Sequence, residues 1–450
     1  MDESLLLALP EDVLLAVLAH LSARELFGCR VLCRRLRDVC LHPALWRRLS
    51  LPAACHKGVV RAALRLAPCL LRVQWTGADL DTFASMVSET SCVVEKLFAI
   101  VHSPNDVPLA TSIVQKLSGL GGLKTLRLVL NGIAADTLLP LLGTVYTVND
   151  LRVLHIWIDS DPPVTLSSSW CDTGRNPTLR ELMYSAPTVD SFLEVLLVTH
   201  AATLEKVILS KVGSVPVHLL NVMPRLRSLS CPPNEALVQL AVPTLREVTF
   251  RAMHMKAYPA GALAFLEASQ LGDVTLFLSK ESPAAPVQAL ARSRSAHLVR
   301  KLNLRWTPHV LDLVAPSLPC FVALQDLTVD SEPTNGFLQA VTPASLPCLT
   351  KLVVNCFGPC THAWLHDPAT QDVLIRNPRL HLRLSDVAVV PTLDVCTCPW
   401  CRWGCHSQLW TTRHGLGSAF SSHSREPGCP ADCYQVAVAP CQGCGTLPEQ

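Results

Sequence analysis

From residue 123 onward the apolar positions of this chain follow one pattern: a leucine, two intervening residues, an apolar residue, one more intervening residue and a further apolar residue. Successive copies begin at Leu123, Leu151, Leu179, Leu204, Leu226, Leu245, Leu271, Val299, Leu324 and Leu349. Their spacing averages about 25 residues, a period that marks a repeat array. Within a copy, pairs such as Leu126 and Leu128, Leu154 and Ile156, Leu229 and Cys231, or Leu327 and Val329 alternate with period two. That alternation predicts a short strand with one buried face. Helical spacing separates the strands: Gly132 to Asp136 leads into Leu138, Leu139, Leu141 and Leu142, and Ser191–Leu197 and Ala262–Leu266 read likewise. Weaker copies are expected before the array (Val94, Leu97) and after it (Leu380, Leu382, Leu384). Strand and helix alternating at this period predict an α/β fold, a curved solenoid with a parallel sheet on its concave side.

The front of the chain follows another rule. Leu9-Pro10-Glu11-Asp12 is a helix start, with proline suited to the first turn and two acids against the positive end of the dipole. Leu14, Val17, Leu18 and Leu21 then mark one buried helical face. Ser22 and Glu25 have capping-box spacing and open a second helix, continued by Leu26, Val31, Cys33, Leu36, Val39 and Cys40. Pro43 starts a last short helix carrying Leu45 and Trp46. Three helices this short bury little apolar surface alone, which favours a docking partner.

Leu9-Pro10 to Leu14, Leu26, Val31 to Arg34 and Leu45-Trp46 together resemble an F-box, with a departure at Arg24-Glu25, where many members carry an aspartate. The unit around Asn131-Gly132-Ile133 is similar to the leucine-rich repeats of F-box leucine-rich-repeat proteins. The resemblance implies a three-helix module at residues 5–50 that docks the Skp adaptor of cullin–RING ubiquitin ligases. It further implies that Leu9, Pro10, Leu14, Leu18, Leu26, Val31 and Trp46 are buried between the module's own core and the adaptor. Residues 51–392 are then the leucine-rich-repeat solenoid, clearest over 120–356.

Composition narrows the partners. The chain has 450 residues, 49% of them apolar and 16% charged. Mean hydropathy is +0.31, yet the most apolar stretch, Leu5–Leu21, is interrupted by Pro10-Glu11-Asp12. No membrane span is expected, and the acidic start Met1-Asp2-Glu3 is unlike a secretory n-region. A net charge of +2 gives no general reason to expect nucleic acid. The 20 cysteines are accordingly read as reduced thiols in a cytoplasmic or nuclear setting, with Cys69, Cys92, Cys231 and Cys348 as small buried hydrophobes. Arg30, Arg34, Arg35, Arg37, Arg47 and Arg48 read as the solvated side of the N-terminal helices.

Function should lie on strand residues that point outward. Alternation nominates Arg127, His155, Trp157, Arg251, Phe277, Asn303, Arg305 and Asp330 as contacts for a protein client, with Trp157 and Phe277 as exposed aromatic anchors. After Pro391 the repeat gives way to a cysteine-rich tail over 393–450, either zinc-binding or disordered. Cys398, Cys401, Cys441 and Cys444 form two C-x-x-C pairs able to hold zinc; otherwise no cofactor is expected. Phosphate-loop, nucleophile-elbow, zincin and dinucleotide fingerprints are missing from the sequence. The expectation is a non-catalytic substrate receptor of an SCF-type ubiquitin ligase, with a leucine-rich-repeat interaction scaffold as one alternative and a zinc-stabilised tail acting as a ligase in its own right as another.

Overall fold

The computed structural model describes residues 9–76, 80–159, 164, 176–187, 189–251, 257–278, 281, 283–305, 310–356, 364–365, 367–386, 419–421 and 433–435. They fall into two compact units, Met1–Leu226 and Arg227–Gln450.

Among the described residues the N-terminal module has four helices where three were expected: α1 Glu11–Leu18, α2 Ala23–Cys29, α3 Arg34–Val39 and α4 Pro43–Trp46. The capping box forms, with the Ser22 N–H donating to Glu25 Oε2 at 2.7 Å. The expected second helix stops before Val31-Leu32 and restarts after Cys33. There the backbone is extended and the Cys33 Sγ accepts the Leu36 N–H at 3.4 Å. A short side-chain acceptor on an extended residue is what a new helix start requires. Val17, expected on the buried face of α1, is 46% exposed, whereas Leu14 and Leu18 are buried.

Strand–helix units then follow. β1 Ser50–Leu51, β2 Cys69–Thr76, β3 Val93–Val101, β4 Thr125–Asn131, β5 Val153–Asp159, β6 Glu181–Ser185 and β7 Lys206–Ser210 run parallel, each beside the next in chain order. Parallel neighbours need crossovers. These include α5 Lys57–Leu66, α6 Leu80–Ser88, α7 Val107–Gly119, α8 Ala135–Thr147 and α9 Ser191–His200. Register aligns the buried residues into rows: Leu97, Leu126, Leu154, Leu182 and Val207 in one, Ala99, Leu128, Ile156, Tyr184 and Leu209 in the next. Burying each large aliphatic side chain stabilises by about 1.5–3 kcal/mol. Gly132 turns the chain out of β4 with φ +65°, a conformation glycine adopts without strain. The ladder begins well before the first clear copy at Leu123, since β1 and β2 already belong to it.

The second unit repeats the scheme. β8 Ser228–Cys231, β9 Glu247–Phe250, β10 Asp273–Phe277, β11 Lys301–Arg305, β12 Asp326–Val329, β13 Lys351–Cys356 and β14 His381–Asp386 form a parallel ladder in chain order. Leu229, Val248, Val274, Leu302, Leu327, Leu352 and Leu382 make one buried row across it. Crossover helices include α10 Ala260–Ala268, α11 Ala285–Arg292 and α12 Pro368–Arg376. Inside the expected tail, β15 Ala419–Ser421 lies antiparallel to β14, and β16 Cys433–Gln435 lies parallel to β15. β14 is therefore not an open edge, and an unpaired edge strand is a template for aggregation. Among the described residues no helix is long and apolar enough to cross a membrane.

Candidate functional site

Two surfaces carry the residues nominated from the sequence. On the N-terminal helices, Leu14, Leu18, Leu26 and Trp46 are at most 3% exposed and fill the module's own core. Trp46 Nε1 donates to the Cys40 carbonyl at 2.7 Å, and its ring lies 5.1 Å from that of Phe27. These four residues are thus not available to a partner. Pro10 is exposed and Leu9 half-buried. Val31 and Leu32, in the break between α2 and α3, are 81% and 71% exposed, and Val13 is 41% exposed. Arg35 in the first turn of α3 donates to the Leu9 carbonyl at 2.6 Å. That bond brings the Val31-Leu32 turn to the end of the module where α1 begins. Most of the basic run is solvent-exposed, as expected.

The outward face of the ladder in the first unit is read off its register. Arg72, Lys96, Thr125, Val153 and Glu181 form one row, Gln74, Phe98, Arg127, His155 and Met183 the next, and Ile100, Val129, Trp157 and Ser185 a third. Arg127 is exposed and Trp157 half-buried. His155 departs from expectation: at 7% exposed it is covered, because its Nε2 lies 2.9 Å from Glu181 Oε1 and its ring packs edge-on to Trp157 at 5.9 Å. Glu181 also meets Lys206 Nζ at 3.5 Å. The hydrogen bond with His155, helped by the Lys206 charge, holds the Glu181 carboxyl below its ordinary value against a partial burial that would raise it. The same face contains a cavity of about 350 Å³ bounded by Arg72, Lys96, Arg127 and Glu181 among others.

The remaining nominated residues lie in the second unit. Arg251 directly follows β9 and its N–H donates to the Cys231 carbonyl at 3.1 Å. Phe277 ends β10, half-buried, and its carbonyl accepts the Tyr258 O–H at 2.9 Å. Asn303 Nδ2 donates to Thr275 Oγ1 at 3.0 Å, and Arg305 Nη1 donates to Asp330 Oδ1 at 2.9 Å. Asp330 is the second departure: at 8% exposed it is enclosed by Arg305 and by the Asn355 amide, which also donates to it. Trp157 and Phe277 are thus half-buried where exposed anchors were expected.

A family model described as F-box-like matches residues 6–52. Those residues are an F-box-like domain. No curated protein matches the chain by sequence. Among solved structures, the crystal structure of the Rad7 and Elc1 complex in yeast is similar at 14% identity over 83% of this chain and 90% of that chain, with TM-score 0.43. The TLR13–ssRNA13 complex is similar at 13% identity over 68% of this chain and 45% of that chain, with TM-score 0.33. Neither likeness bears on what this chain binds.

On the F-box-like domain, sequence reasoning missed Val13 and Leu32 as exposed apolar residues. Val13 lies four residues before Val17, and both stand on the exposed flank of α1 beside the buried Leu14 and Leu18. On the ladder it missed Arg72 and Lys96, because β2 and β3 precede the clear repeats. Cys92 and Cys231 are buried, and loss of solvation pushes both thiols up to about 12. The other two cysteines read as buried are not: Cys69 begins β2 half-buried, and Cys348 is exposed on the turn before the buried Leu349. Cys398, Cys401, Cys441 and Cys444 lie outside the described residues. Among the described residues no group of three or more His, Cys, Asp and Glu stands ready to hold a metal ion.

Proposed function

We propose that this chain is the client-holding subunit of a ubiquitin ligase of the Skp–cullin–F-box type, acting in the cytoplasm or nucleus. The observation that carries the reading is Val31 and Leu32, 81% and 71% exposed on an F-box-like domain whose core is already filled by its own residues. Adjacent large apolar side chains left in water on so small a module are a binding surface in search of cover. The adaptor would cover that surface and the cullin would follow through the adaptor. The strand faces of the repeats would hold a protein client near the ubiquitin-loaded enzyme, so that catalysis comes from proximity and this chain makes no bond itself.

The test is co-purification of the full chain with the Skp adaptor and cullin, beside a Val31→Asp/Leu32→Asp variant. Adaptor and cullin retained by the wild type and lost by the variant, at unchanged melting temperature, support the proposal. Adaptor without cullin favours the interaction-scaffold reading, and no adaptor on the intact chain overturns docking altogether.

A further inference from the structure

The cavity on the ladder face of the first unit has a charge imbalance that its own side chains do not remove. Arg72 and Lys96 face each other across β2 and β3, and Arg127 stands one strand and one side-chain pair further on. Lys96 has an ion pair at 3.6 Å with Glu95, but among the described residues neither Arg72 nor Arg127 has one, and both are exposed. The single acid of the lining, Glu181, is already engaged by Lys206 and His155. Three cations thus border the space, and among the described residues two of them, Arg72 and Arg127, have no ion-pair partner.

Geometry narrows the ligand. Arg72 and Arg127 are two strands and one side-chain pair apart, roughly 12 Å between backbone positions. That separation suits carboxylates distributed along a chain better than one phosphate gripped by all three side chains. Above the cations runs an apolar row, Ile100, Val129 and Trp157, each half-buried. From Arg127 to Val129 is one same-face step along a strand, about 7 Å.

We propose that this cavity seats a run of acidic side chains in a protein segment, with an apolar side chain of the same segment lodged on the Ile100–Val129–Trp157 row. The proposal rests on the reading of the ladder as a client-holding surface and gives that client a chemistry. Charge complementarity sets the register of the segment, while the aromatic anchor slows its release.

The test is fluorescence anisotropy on the full chain, using a short labelled peptide in which a run of glutamates precedes two leucines. Binding should weaken about tenfold or more in Arg72→Glu/Arg127→Glu, and equally when the glutamates become glutamines. It should weaken severalfold in Trp157→Ala and recover in Arg72→Lys/Arg127→Lys. A helix-side control, Arg61→Glu/Arg65→Glu, changes net charge by the same amount on exposed residues of α5 and should leave binding intact. Equal loss in that control would reduce the effect to non-specific charge and overturn the proposal, as would no binding of the glutamate peptide. A glutamine peptide with one phosphoserine that binds as tightly as the glutamate run would overturn the carboxylate assignment. The assay contains no adaptor, so docking of the F-box-like domain can fail while the acidic seat stands, or the reverse.

Discussion

Core and surface roles on the F-box-like domain can be separated by a single pair of substitutions. Trp46 is fully buried and hydrogen-bonded to the Cys40 carbonyl, so Trp46→Ala removes both a large apolar volume and a donor. Truncations of this kind cost about 3–5 kcal/mol. Trp46→Phe keeps most of the ring but leaves the Cys40 carbonyl without its partner, a loss of about 1–3 kcal/mol. At about 1.4 kcal/mol per decade, Trp46→Ala raises the open population of the domain a hundredfold to several thousandfold. Hydrogen exchange by mass spectrometry on the full chain reads this directly. Amides of α1–α4 should lose protection in Trp46→Ala and lose less in Trp46→Phe, while peptides from β4 and β5 keep theirs. Val31→Asp/Leu32→Asp should leave all of them as in the wild type. Wild-type protection of α1–α4 in Trp46→Ala would refute the packing argument. Exposure in Val31→Asp/Leu32→Asp would refute the assignment of that pair to the surface.

Three further outcomes are expected. Asp190 accepts from the buried Tyr184 O–H at 2.6 Å and from the Leu193 N–H at 2.9 Å, so Asp190→Ala should lower the urea-unfolding free energy by about 2–4 kcal/mol, combining a lost helix cap with an orphaned hydroxyl. Gly261→Ala would set a Cβ 2.0 Å from the Glu235 carbonyl oxygen and should destabilise by about 1–3 kcal/mol or more, whereas Gly28→Ala meets nothing within 4 Å and should be neutral or mildly stabilising in the same melts. Because the folded Glu181 carboxyl lies below its ordinary value of 4.5, its contribution is fully present above that pH and is lost as pH falls through the lower folded value. Glu181→Gln should therefore cost about 1 kcal/mol at neutral pH and nothing in strong acid, and a constant difference across the pH range would sink the argument.

The strand–helix ladder was legible because its signal is short-range: Leu126 and Leu128, or Leu327 and Val329, announce a buried strand face within a few residues. β1 and β2 were harder, since β1 offers a single buried leucine and β2 places Trp75 in the row that Leu128 and Ile156 occupy in later copies. On the F-box-like domain, apolarity identified the right residues but not their direction. Leu18 and Val31 look alike in sequence, yet one closes the core and the other stands in water. Periodicity separates them only where a helix is continuous, and the stop before Val31 removes the period.

What local pattern misses is contact at a distance of one repeat. His155 finds Glu181 26 residues on, Arg305 finds Asp330 25 on, Asn303 reaches Thr275 28 back, and Glu235 accepts the Gly261 N–H from 26 away. Alternation says which face these residues occupy, but a neighbouring repeat decides whether they are free, and so His155 and Asp330 were taken for open surface. The same arithmetic governs the proposed acidic seat. Arg72, Lys96 and Arg127 sit on three different repeats and converge only because the register holds Arg72 opposite Lys96 and Phe98 opposite Arg127. In a ladder whose units interact mainly with their neighbours, one residue inserted within β3 before Phe98 would turn Phe98 to the opposite face. A residue inserted in a crossover loop would leave the strand register, and hence the seat, as it is.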